Sequence, residues 1–99
     1  MNIARPINGF NVVERPAVLD TLADNTSICP WLQSAYSNVK QHLRMAGHKV
    51  GYATKNNNIS RRIFIEADPM TNKNRMAIAY EVLGDRLTLI AMTVVIQKS

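Results

Sequence analysis

Between Arg75 and Val95 the apolar positions fall into two runs separated by the pair Gly84-Asp85. Met76 to Val82 is rich in side chains that suit a pleated strand, the glycine supplies a backbone angle other residues avoid, and Leu87 to Val95 resumes the run. The pattern predicts a β-hairpin. Its second strand is apolar on both sides, with Leu87, Leu89, Ala91 and Val95 on one and Ile90, Met92, Val94 and Ile96 on the other. Such a strand is expected in the middle of a sheet or beneath a helix layer.

Upstream, Phe10 to Glu14 reads as a short first strand after a loose leader over residues 1–9. Pro16 suits the first turn of a helix, and Val18, Leu19 and Leu22 share a side, which predicts a short helix over 16–24. A longer amphipathic helix is predicted over 31–46, where Leu32, Tyr36, Val39, Leu43 and Ala46 recur at three- and four-residue steps and Gly47 stands as the capping residue. Residues 51–60 turn polar and read as a loop. In Arg61 to Glu66 a strand is expected, with Ile63 and Ile65 facing one way and Arg62, Phe64 and Glu66 the other. Asp68 to Asn74 is a polar connection into the hairpin. The order is β-α-α-β-β-β, an α+β class with a small antiparallel sheet, the first strand at an edge and two helices on one face.

Ninety-nine residues with 46% hydrophobic and 19% charged side chains describe one small globular domain, not a disordered chain. The single cysteine, Cys29, excludes an internal disulfide and fits a reducing compartment. The start lacks a secretion signal and no window approaches ~18 uninterrupted apolar residues, so a cytoplasmic protein with no membrane partner is expected.

Charge changes the picture more. Two arginines against three acids give residues 1–39 a charge of −1, whereas ten lysines and arginines against four acids give residues 40–99 a charge of +6. That asymmetry favours a polyanionic or acidic partner. No glycine-rich phosphate loop, Gly-x-Ser-x-Gly, His-Glu-x-x-His or Cys/His metal spacing is present, so neither a metal nor a cofactor is expected. The chain offers instead cationic and phenolic groups on strands and adjoining loops: Lys55, Arg61, Arg62, Lys73, Arg75, Tyr80 and Lys98, with Lys40, Arg44 and Lys49 on and just after the long helix.

Three stretches, Arg61-Arg62-Ile63-Phe64-Ile65, Ala77-Ile78-Ala79-Tyr80-Glu81-Val82 and Gly84-Asp85-Arg86-Leu87-Thr88-Leu89-Ile90-Ala91, resemble the strand series of RelE/ParE-type toxins of type II toxin-antitoxin systems, and Val12 to Ala17 is similar to that family's first strand running into its first helix. The resemblance covers most of residues 10–96. It implies helices on one face of the sheet and a basic opposite face. It also implies an acidic antitoxin as partner and one of two targets: messenger RNA cut on the ribosome, which inhibits translation, or DNA gyrase. A non-catalytic binding module for nucleic acid or protein on the same scaffold is the further alternative.

Metal-independent RNA cleavage through the 2′-hydroxyl needs a group to take or polarise that proton, cations around the pentacoordinate phosphate, and a proton for the leaving oxygen. By resemblance, Arg62, Arg75, Tyr80 and Lys98 occupy the catalytic positions. The arginines would clamp phosphate rather than act as bases. Lys40, Arg44, Lys49, Lys55, Arg61 and Lys73 are the expected nucleic-acid contacts.

Overall fold

A computed structural model describes residues 8–53, 61–70 and 73–96. The elements are β1 (Asn11–Glu14), α1 (Pro16–Thr26), α2 (Trp31–Ala46), β2 (Tyr52–Ala53), β3 (Arg61–Ala67), β4 (Arg75–Leu83) and β5 (Arg86–Val95). The class is α+β, as expected. The five strands lie in the order β1-β5-β4-β3-β2.

Two features of the sheet correct the expectation. β1 does take an edge, but it runs parallel to β5, pairing Asn11 with Arg86 through to Glu14 with Leu89, so the sheet is mixed and not antiparallel. Part of the polar stretch read as loop forms β2, in which Tyr52 and Ala53 pair with Ile63 and Arg62. Residues 54–60, including Lys55, lie outside the described residues, as do residues 1–7 of the expected leader; Asn8 is tied down, its carbonyl accepting a hydrogen bond from Arg44 Nη2 at 3.2 Å.

α1 begins at Pro16, whose missing N–H is one that a first turn leaves unpaired anyway. It runs two residues past the expected end. Asn25 Nδ2 donates to the Thr21 carbonyl at 2.8 Å, and the Thr26 hydroxyl bonds back to the Leu22 carbonyl, so these polar side chains find partners on the last turn of the helix itself. α2 follows its predicted span and buries Leu32, Ala35, Tyr36, Val39 and Leu43. Gly47 caps it, but not in a left-handed conformation: its φ is −59°. A Cβ there would stand 2.4 Å from Leu87 Cδ1 and 2.5 Å from the Leu43 carbonyl oxygen; the leucine methyl can move aside but the backbone oxygen cannot, so glycine suits this helix end.

The hairpin forms with a two-residue link at Gly84-Asp85, the glycine taking φ +61°. Its second strand departs from the expectation. Tyr80 pairs with Leu89 but Ala79 pairs with Ala91, so Ile90 is an extra residue, a β-bulge. The bulge shifts the alternation by one. Leu87 and Leu89 before it, and Met92, Val94 and Ile96 after it, all face the helices, packing in or against one core with Val18, Leu22, Leu32, Val39, Leu43, Met76 and Ile78. Among the described residues β5 is therefore covered on one face only. Among the described residues the opposite face carries no helix.

Candidate nucleic-acid interface

The register collects particular residues at one end of the sheet. The starts of β1 and β5 meet there, Asn11 beside Arg86; so do the end of β4, with Leu83 beside Arg86, and the start of β3, with Arg61 beside Glu81. The carboxyl end of α2 lies over the same end, since the Phe10 N–H donates to the Arg44 carbonyl at 2.9 Å and Gly47 abuts Leu87. Arg44, Lys49, Arg61, Arg62 and Arg86 thus gather at one end of the domain, where Glu81 and Asp85 are the acids among the described residues. Half of the ten lysines and arginines of residues 40–99 stand at this positive end. They do not make a basic sheet face: the face away from the helices is alanine, isoleucine and threonine over its middle.

Within that end a cluster of hydrogen bonds fixes the turn after α2. Tyr80 is wholly buried, and its hydroxyl lies 2.8 Å from the Gly47 carbonyl and 2.9 Å from that of Val50. Arg62, its partner across the β3–β4 ladder, donates from Nε to the Val50 carbonyl at 2.7 Å and from Nη2 to the Gly51 carbonyl at 3.3 Å. Gly51, at φ +76°, lets the chain pass so near β3 that a Cβ would be 2.6 Å from the Ile63 carbonyl. Burial raises the Tyr80 phenol above its ordinary pKa, with the Arg62 guanidinium pulling the other way. The phenol is held neutral, as a donor to backbone, and the guanidinium caps carbonyls that would otherwise be orphaned beyond the helix.

The expected catalytic residues are not all brought together. Arg62 and Tyr80 are neighbours on the helix side. Arg75 pairs with Ala67 and Val95 at the other end of the sheet, on the uncovered face, five positions or roughly 17 Å along the strand from Tyr80. Lys98 and Lys55 lie outside the described residues. Of the expected nucleic-acid contacts, Arg44 and Lys49 are exposed, and Arg61 forms an ion pair with Glu81 at 3.2 Å. Lys73 is exposed near Arg75, away from the positive end. Lys40 sits halfway up α2, 3.5 Å from Glu14 and 5.6 Å above the Tyr36 ring. Beside Arg44 an open groove of about 440 Å³ is bordered by Asn8, Phe10 and Asp85.

Two contributors are not among the expected site residues. Arg86 follows the hairpin turn directly, and its place after Gly84-Asp85 was a usable signal. The Tyr36 hydroxyl donates to the Glu14 carboxylate, linking α2 to β1 across 22 positions, and no local pattern announces such a pair. Burial, and then the Glu14 carboxylate, push the Tyr36 phenol well above its ordinary value of 10. The unfolded chain ionises this tyrosine near its ordinary value and the folded chain does not. Its contribution is therefore complete below that value and is lost as pH rises toward the folded pKa. Thermal midpoints of the wild type should fall between neutral pH and strongly alkaline pH, and Tyr36→Phe should flatten that fall; an unchanged slope would contradict the pairing.

Among the described residues no group of three or more His, Cys, Asp or Glu is placed to hold a metal ion, and no helix is long and apolar enough to cross a membrane. Comparison with known proteins finds no matching family model, no matching curated protein and no matching solved structure.

Proposed function

We propose that this chain is the toxin component of a type II toxin-antitoxin system of the RelE/ParE type, and that it inhibits translation by docking its positive end on RNA of the translating ribosome. The observation that carries the reading is positional. The stretches that resemble the family's strand series, 61–65, 77–82 and 84–91, lie on three adjoining strands, with the similar stretch 12–17 entering from the neighbouring edge. Arg44, Lys49, Arg61 and Arg86 at one end supply the cations that a phosphate backbone needs.

Cleavage of the bound messenger, with Arg62, Arg75, Tyr80 and Lys98 in the catalytic positions and without a metal, is the finer form of this reading. A cytoplasmic setting and an acidic antitoxin go with it. A specific observation favours a second form, in which the domain binds without cutting: Tyr80 and Arg62 are both engaged with the carbonyls of the turn after α2. In that form inhibition comes from occupying the site.

Controlled expression in a bacterial host separates the readings. Growth arrest with new 5′ ends on ribosome-bound messenger supports cutting, whereas arrest with intact messenger and stalled ribosomes supports binding alone. Accumulated cleaved DNA–gyrase complexes would move the target to gyrase. Normal growth with none of these products would overturn the toxin reading.

A further inference from the structure

The groove beside Arg44 carries chemistry that phosphate attraction leaves unexplained. Its walls are the segment 8–12, Arg44 in the last turn of α2 and Asp85 of the hairpin turn, and it holds about 440 Å³. The segment is locked onto Arg44 at two points: the Asn8 carbonyl accepts from Arg44 Nη2 at 3.2 Å, and the Phe10 N–H donates to the Arg44 carbonyl at 2.9 Å. Gly9, at φ +84°, makes the bend between them, where a Cβ would stand 3.0 Å from Arg44 Cγ and 3.1 Å from its carbonyl oxygen. Arg44 is therefore fixed in the wall, with further N–H donors left for a ligand.

Two features run against a surface that only attracts phosphate. The first is Asp85. Of the two acids at the positive end, Glu81 is paired with Arg61 at 3.2 Å. The Asp85 carboxylate is exposed and, among the described residues, makes no ion pair or side-chain hydrogen bond. A carboxylate left open beside Arg44 and Arg86 lowers affinity for a polyanion, unless the ligand also brings N–H donors to it. The second is the edge of β1. The Asn11 and Arg15 N–H groups turn to β5, at 2.7 and 3.2 Å from the Asp85 and Leu89 carbonyls. Alternation then turns the Val12 N–H and carbonyl to the free edge, on the groove side.

A ligand that satisfies these groups has an anionic part for the arginines and a planar part with paired N–H donors for the carboxylate. Nucleotides have both, and their bases differ in the edge they offer. Adenine and cytosine set an amino group beside an acceptor nitrogen that a carboxylate repels, and uracil sets a lone N–H between carbonyls. Guanine offers parallel N–H donors from its ring and its amino group, which match both oxygens of a carboxylate. Its carbonyl oxygen lies next in line, an acceptor for a donor such as the Val12 N–H.

We propose that this groove is a binding site for a guanine nucleotide, its base read by Asp85 and its phosphate held by Arg44 and by Arg86 next to that acid. The guanosine comes as a free nucleotide or as part of a single-stranded RNA, where unstacked bases are open to such reading. The site rests on the groove and not on the toxin reading, which requires phosphate contacts but no base preference.

An NMR titration that follows the backbone amides of the whole chain tests it, with GMP, IMP, AMP and UMP as ligands. GMP is expected to move the amides of residues 8–12, Arg44 and Asp85 saturably and to bind about tenfold more tightly than AMP or UMP, with IMP, which lacks the amino group, in between. Asp85→Asn is the sharpest comparison. If charge alone binds these ligands, removing a negative charge tightens every nucleotide; with Asp85 reading the base, GMP weakens by about tenfold and AMP does not. Circular dichroism checks the fold of the variant, and if it fails the wild-type order of GMP, IMP and AMP still decides. Absence of saturable shifts, shifts confined to other residues, equal binding of GMP and AMP, or GMP affinity kept or raised in folded Asp85→Asn overturns the proposal. Two RNA hexamers, all uridine or with a central guanosine, separate the sources: a gain from the guanosine that Asp85→Asn abolishes makes RNA a source, and no gain assigns the site to the free nucleotide. Growth arrest on expression is scored separately. Guanine preference without arrest defeats the toxin reading and leaves the site, and arrest without that preference does the reverse.

Discussion

Replacing Tyr80 by alanine is expected to cost about 3–5 kcal/mol, because the largest fully buried side chain among the described residues leaves a cavity beneath the end of α2. A domain of this size has roughly 5–15 kcal/mol in all, so the variant should be partly unfolded at growth temperature. The informative companion is Tyr80→Phe. It keeps the ring and removes the hydroxyl, leaving the Gly47 carbonyl without that donor while the Val50 carbonyl retains Arg62. A loss of about 1–2 kcal/mol follows, or roughly 5–10 °C in the thermal midpoint. If the phenol instead serves chemistry in the free protein, Tyr80→Phe would keep its midpoint and lose RNA cleavage. Denaturation and messenger-cleavage assays on the same preparation decide between the two.

The second large effect concerns the positive end. Arg44→Gln, Lys49→Gln and Arg86→Gln combined should lower affinity for single-stranded RNA by about a hundredfold at moderate salt and flatten the logarithmic salt dependence by about 2, the loss expected for three phosphate contacts. All three side chains are exposed, so the fold should stand. Neutralising Lys40 and Lys73 instead should change binding little, since Lys40 is occupied by Glu14 and Lys73 lies at the opposite end. Equal losses from both sets would mean that the domain attracts RNA by net charge alone.

These residues also show what the sequence could and could not reveal. The hairpin and α2 were legible because each is long and carries its period on the surface of the sequence. The bulge was concealed by apolar residues of both parities in β5, and only the threonines betray it. Thr88 and Thr93 differ in parity, yet both lie on the uncovered face, which requires one extra residue between them. β2 is two residues long and leaves no pattern. The parallel pairing of β1 with β5 joins positions 75 apart, as Asn11 with Arg86, and depends on the whole sheet rather than on either strand.

For the site, residue type was a poorer guide than parity. Arg62 and Glu66 alternate with Ile63 and Ile65, and the natural assumption puts isoleucines inward. In the structure the arginine turns toward the helices because carbonyls beyond α2 need a donor there, and the isoleucines turn outward. The cationic residues were identifiable from composition, but their gathering at one end depends on the helix and strand directions together.

The strand order bears on synthesis as well. β1 is made first, yet its neighbour in the sheet is β5, the last described strand to be made. Until Arg86 to Leu89 have been translated, the amino-terminal edge has nothing to pair with, and the core lacks Leu87, Leu89 and Met92. Contacts this distant along the chain delay completion of a fold. A nascent chain that has reached only the hairpin turn therefore holds its first strand unpaired, and the assembled positive end appears only after the last strand has joined the sheet.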